Sequence, residues 1–131
     1  MVEASPFDTA GAYAAVDRHR VDDFAPYIYR TRDGGAHWTR ADEGIAPQAY
    51  VQVVRADPER PRLLFAGTET GVYVSFDDGD HWQSLQLNLP VASVRDLAVH
   101  GRDLIAATHG RSFWVLDDLT QIGRASCRER V

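Results

Sequence analysis

The chain has 131 residues, 44% hydrophobic and 25% charged, which is room for one ordinary soluble domain and excludes wholesale disorder. A net charge of -5 argues against nucleic acid or an anionic membrane as partner, and no apolar run approaches the about 20 residues of a membrane helix. One cysteine excludes a disulfide framework and multi-cysteine zinc sites.

Taken in chain order, residues 1–11 run straight into a strand-like segment, so Met1 reads as an internal start in a longer gene. Strands are predicted over Ala12 to Arg18, Tyr27 to Thr31 and His37 to Ala41. A second group follows at Tyr50 to Arg55, Leu63 to Gly67 and Gly71 to Phe76, and a third at Val94 to Val99, Leu104 to Thr108 and Ser112 to Leu116. Each is short and rich in β-branched or aromatic residues, and turn residues such as Asp57-Pro58, Thr70-Gly71 and Asp78-Gly79 bound them. Several are apolar at consecutive positions, as strands buried on both faces are. No window sustains a helical stripe, so the predicted class is all-β.

An internal repeat organises these strands. Thr31 to Trp38 (TRDGGAHW) and Ser75 to Trp82 (SFDDGDHW) align without gaps 44 residues apart, each following an aliphatic-Tyr pair. Leu64 to Asp78 aligns with Leu104 to Asp118 at a spacing of 40. Such a period is the size of one four-stranded propeller blade. The prediction is a partial β-propeller of two to three four-stranded antiparallel blades over residues 1–121, divided at about 7–44, 45–90 and 91–121. A closed propeller needs typically four to eight blades, so the remaining blades of a parent protein are expected partners.

Both motifs fit hydroxyl-x-Asp-x-Gly-x-x-Trp. The Asp carboxylate and the hydroxyl can bind backbone N–H groups of their own turn, and the Gly can supply a positive φ. The indole can bury apolar surface beside the turn. Thr31, Asp33, Gly35 and Trp38, and Ser75, Asp77, Gly79 and Trp82, are therefore assigned structural roles. These motifs resemble the Asp boxes, or bacterial neuraminidase repeats, of sialidases, xyloglucanases and sortilin-type propellers. The wider string from Tyr50 to Leu119 most resembles the last blades of bacterial sortilin N-terminal-domain or glycosyl-hydrolase-like proteins. The resemblance implies a longer, exported parent. In the third repeat Val115, Leu116 and Leu119 replace the hydroxyl, the linker and the Gly.

The chemistry offered is sparse. The acid pairs Asp22-Asp23, Asp42-Glu43, Asp77-Asp78 and Asp117-Asp118 are adjacent in sequence, so on strands they point to opposite faces and do not flank one glycosidic bond. The five histidines show no HxH or HExxH spacing, and no metal, cofactor or catalytic residue is assigned. His37 and His81 share one slot in the two motifs, which points to packing or turn hydrogen bonds. On the face opposite the motif turns, Glu69, His109 and Arg111 are the ligand-face candidates. An inter-blade Glu69–Arg111 ion pair is the structural alternative.

The expected function is a binding or scaffold module for a protein, peptide or glycan, not catalytic by itself. The alternative is part of a secreted glycoside hydrolase whose catalytic residues lie elsewhere. Residues 122–131 (IGRASCRERV) carry three arginines and Cys127, lack any apolar period, and resemble the translation of a sequencing adapter. They are read as non-native and left out of the fold.

Overall fold

The computed structural model describes residues 2–16, 21–85, 94–100, 103–108 and 113–116. The expected assignments at His109, Arg111, Asp117-Asp118 and 122–131 lie outside these residues. The first sheet is formed by β1 (Val2–Ala4), β2 (Ala12–Val16), β3 (Tyr27–Thr31) and β4 (Thr39–Arg40). The second holds β5 (Val51–Ala56), β6 (Leu64–Thr68), β7 (Gly71–Ser75) and β8 (Gln83–Leu85). The third holds β9 (Val94–His100), β10 (Asp103–Thr108) and β11 (Phe113–Leu116). Every pairing is antiparallel between strands consecutive in the chain, so each sheet is a meander. The first strands, β1, β5 and β9, bring the three sheets together.

The middle sheet shows why its strands read as unbroken apolar runs. All five residues of β6 are buried, yet they serve two separate cores. Leu64 and Ala66 join Tyr13, Ala15 and Ile28 of the first sheet, whereas Phe65 joins Leu97, Leu104 and Ala106 of the third. Successive side chains of a strand point to opposite faces, and here both faces are covered. Full burial of a side chain such as Phe65 contributes about 1.5–3 kcal/mol. In β5 the alternation is offset: Val51 and Val54 face the first core and Val53 the second. A register shift between Val51 and Val53 resets the parity, which is what an inserted bulge residue does.

Two local expectations are corrected. β1 is absent from the sequence reading because it is three residues long, and its pairing is with residues 12–14, beyond an intervening loop. β4 covers only Thr39–Arg40, both exposed, rather than His37 to Ala41. Arg40 holds this short edge in place, its guanidinium 4.7 Å from the Tyr27 ring centroid and its Nε 2.7 Å from Asp42.

The matched tryptophans also differ. Trp82 is 5% exposed and Trp38 is 40% exposed, so the expectation that both indoles are buried fails for Trp38. The cause is the neighbouring segment. After the first sheet the chain passes over Trp82: its indole Nε1–H donates to the Ala41 carbonyl (2.7 Å) and its backbone N–H to that of Glu43 (2.8 Å). Gly44, at φ +103°, lies so close that a Cβ would sit 2.1 Å from the Trp82 carbonyl oxygen. Among the described residues no equivalent segment reaches Trp38, whose ring lies beside Gly35.

The two sites should therefore respond differently to truncation. Trp82→Ala is expected to lower unfolding free energy by about 3–5 kcal/mol, the range for a buried aromatic. Trp38→Ala should change it by less than about 1 kcal/mol. Urea unfolding of both variants checks this, and equal losses would contradict it.

Candidate functional site

Each motif loop is closed by the same set of hydrogen bonds. The Thr31 hydroxyl donates to Asp33 (2.8 Å) and accepts from the Gly35 N–H (3.1 Å). The Ser75 hydroxyl donates to Asp77 (2.8 Å) and accepts from the Gly79 N–H (2.9 Å). Each carboxylate also reaches the histidine four residues on, the hydroxyl-bound oxygen taking its backbone N–H and the other oxygen its ring nitrogen. His37 and His81 each donate a backbone N–H at 2.9 Å and lie at 2.7 Å through Nδ1. Gly35 and Gly79 take nearly equal positive φ, 97° and 95°, which lets the loop curl back on its carboxylate.

This geometry controls protonation. Hydrogen bonds from the His37 N–H, the Thr31 hydroxyl and the His37 ring hold the Asp33 carboxyl well below the usual range. At Asp77 burial pushes upward, but the hydrogen bonds from His81 and Ser75 outweigh it and the carboxyl is lowered. The hydrogen bond and charge of Asp77 raise the His81 imidazole. Each carboxylate serves the loop that carries it.

Asp78, the neighbour of Asp77, looks the other way, into the first sheet. It accepts from the Tyr13 hydroxyl and from Arg32 (3.1 Å), while Arg30 reaches the Asp78 carbonyl (2.7 Å) and the Asp80 carboxylate (2.8 Å). Burial and the bond to Asp78 raise the Tyr13 hydroxyl far above its ordinary range, so it is a proton donor throughout. A cleft of about 170 Å³ opens here between the sheets, with Phe7, Tyr13, Arg32, Arg60, Arg62 and Asp78 among its walls. Asp57, whose side chain is fully buried beneath it, accepts from the Glu59 and Arg60 N–H groups and from the Arg60 guanidinium (3.0 Å).

A second cleft of about 310 Å³ lies along the first strands. Arg55 of β5 joins all three sheets there: Nη1 to Glu3 of β1 (3.2 Å), Nη2 to Asp96 of β9 (3.0 Å) and Nε to the Leu97 carbonyl (2.8 Å). Glu3 also accepts the Ala56 N–H (3.1 Å). Sequence reasoning missed this cluster because Glu3 and Asp96 stand alone in sequence, 52 and 41 residues from Arg55. An arginine inside a valine-rich strand (VQVVRA) is the one signal that points to it.

The described acid pairs, Asp22-Asp23, Asp42-Glu43 and Asp77-Asp78, lie in loops and turns rather than on strands. Asp23 accepts from the Tyr27 hydroxyl (2.5 Å), and Asp42 from Arg40 and the Ile28 N–H. Glu69, the ligand-face candidate that is described, is exposed in the β6–β7 turn, where its N–H donates to the Tyr50 carbonyl (3.1 Å). That turn is at the far end of the sheet from both clefts, which gather the β1–β2 and β5–β6 loops. Among the described residues no group of three or more His, Cys, Asp or Glu could hold a metal ion, and no helix is long and apolar enough to cross a membrane.

No known family profile matches the chain, and no curated protein matches it either. Solved structures do. An ancestral GH74 enzyme superposes with a TM-score of 0.67 at 21% identity, covering 82% of this chain and 13% of that one. YCF48 bound to D1 peptide gives 0.60 at 17% identity, covering 88% and 35%. The GH74 xyloglucanase from Xanthomonas campestris gives 0.59 at 16% identity, covering 89% and 22%. These likenesses show the fold: the chain is an all-β partial β-propeller, spanning a minority of each of these longer proteins.

The motif loops make stability depend on pH from both sides. A raised imidazole stabilises the fold below its unfolded pKa of about 6.5, and that contribution is lost as pH rises through the higher folded value. The lowered carboxyls contribute above about 3.9 and lose their contribution as pH falls through their lower folded values. The urea midpoint should thus be highest between these limits. His81→Gln should flatten the decline on the alkaline side, and an unchanged alkaline limb in that variant would contradict the assignment.

Proposed function

We propose that the chain is a section of an Asp-box propeller that works as a binding or scaffold module for a protein, peptide or glycan. One observation carries this reading. Of the carboxylates lining the two clefts, Glu3, Asp57, Asp78 and Asp96 are each engaged by an arginine, and Asp8 accepts the Ala10 N–H of its own loop (3.0 Å). A glycosidase needs two carboxyls free to flank one bond, one of them able to protonate the leaving oxygen. These clefts offer charge-paired walls instead. The neighbour solved with a bound peptide supports peptide recognition on such a scaffold.

In this reading Thr31, Asp33, Gly35 and Trp38, with Ser75, Asp77, Gly79 and Trp82, are the frame of two sortilin-like Asp boxes. The blades are about residues 7–44 (extended back to take in β1), 45–90 and 91–121 of an exported bacterial parent, and residues 122–131 are foreign to it. The parent's remaining blades are the first partner. Glu69, His109 and Arg111 are its ligand-face residues at the end away from the boxes.

The two GH74 neighbours favour a second reading, in which the parent is a glycoside hydrolase with its catalytic blades outside this chain. Incubating the full open reading frame with xyloglucan and with sialylated glycans separates the two. The binding reading expects retention of a peptide or glycan with no new reducing ends or free sialic acid. Turnover of either substrate would overturn it.

A further inference from the structure

We infer that the cleft between the first and second sheets, at the motif-loop end, is a binding site for a carboxylate-bearing end group, with Arg62 as its principal contact. This deepens the binding reading and rests on it, adding a site at the end opposite Glu69. Buried Asp57 ties down the Glu59 and Arg60 N–H groups, and the β5–β6 loop closes through Asp57 N–H to the Leu63 carbonyl (2.9 Å). Arg62 is thereby held at φ +70°, a left-handed conformation that strains any residue bearing a Cβ. The Asp78 N–H donates to the Arg62 carbonyl (3.0 Å), and Asp78 itself sits at φ +66°. Two strained residues thus lock each other at the lip of one cleft. Glycine would satisfy the backbone at position 62 without strain, yet an arginine stands there, and strain of this kind gathers at functional sites.

The charge arrangement says what would enter. Arg60 is occupied by Asp57 beneath the floor. Arg62 is exposed, and its guanidinium has no ion-pair or hydrogen-bond partner among the described residues. Arg32, with 60% of its side chain exposed, uses Nη2 on Asp78 and keeps its other donors for solvent. Asp8 also lines the cleft, its Oδ1 taken by the Ala10 N–H (3.0 Å); beside it, two guanidiniums with open N–H groups fit the planar, bidentate geometry of a carboxylate. Phe7, 51% exposed, lines the same cleft with Pro6 and Pro61 and provides an apolar wall. At about 170 Å³ the cleft is smaller than an ordinary ligand pocket, so it takes an end group rather than a length of polymer. Both a peptide carboxyl terminus and an acidic sugar present such a group.

Titration of the full chain by NMR and calorimetry tests this with three probes: Ala-Leu-Ala with a free carboxyl terminus, its carboxamide, and glucuronate. The free acid should bind, the amide at least about tenfold more weakly, as expected for a lost charge-assisted contact. Arg62→Gly should weaken acid binding by about tenfold or more while leaving the melting temperature unchanged or raised, because glycine relieves the positive φ. Arg62→Lys should retain part of the affinity. Glucuronate binding in preference to the peptide acid supports the carboxylate site and assigns an acidic sugar as its source. Equal binding of acid and amide, no binding of either acid, or unchanged binding by Arg62→Gly overturns the inference. Glycan turnover by the parent would defeat the binding reading separately, without altering the Arg62 result.

Discussion

The structure depends on a carboxylate that gathers its own loop. In each motif an Asp takes the hydroxyl of the residue two before it and the N–H and ring nitrogen of the histidine four after it. A hairpin between the third and fourth strands of a sheet would otherwise leave these backbone donors to water, at a cost in order. Because all the partners lie within a few residues, the loop carries its geometry wherever the motif is written. Placement of the tryptophan follows from that geometry, but its burial does not: that needs the sheet next door.

Stacking of the sheets is the second layer of the account. A middle sheet apolar on both faces cannot be stable alone, and β6 and β7 divide their side chains between two neighbours. Polar groups then set how the sheets sit on one another. Arg55 joins three first strands, and Arg30, Arg32 and Tyr13 of the first sheet take hold of Asp78 and Asp80 of the second. Adjacent aspartates so acquire different tasks, Asp77 closing its own loop and Asp78 holding the neighbouring sheet.

Local chemistry was legible in the sequence, and long-range chemistry was not. The eight-residue motif and its 44-residue spacing were readable because each hydrogen bond of the loop spans two or four residues. The strands were readable from apolar runs between turn residues, apart from three-residue β1 and β8 and the curtailed β4. The Tyr13–Asp78 bond crosses 65 residues and the Arg55–Glu3 pair 52, and nothing in the spacing of single polar residues announces such meetings. The difference between Trp38 and Trp82 was hidden for the same reason, since two matching motifs do not say what lies over each indole. The clefts also fell at the end of the sheets that the sequence had assigned to loop closure, because the β5–β6 loop and strained Arg62 carry no motif.

The claim that each motif is one repeated unit, completed only by an adjacent segment, can be tested at the indole nitrogens. Hydrogen exchange of the Trp38 and Trp82 Nε1–H signals reads the Ala41 carbonyl contact directly, because that bond closes Trp82 to water. The account predicts slow exchange at Trp82, lost only with unfolding, and solvent-like exchange at Trp38. Fast exchange at both, or protection at Trp38 with none at Trp82, would contradict it.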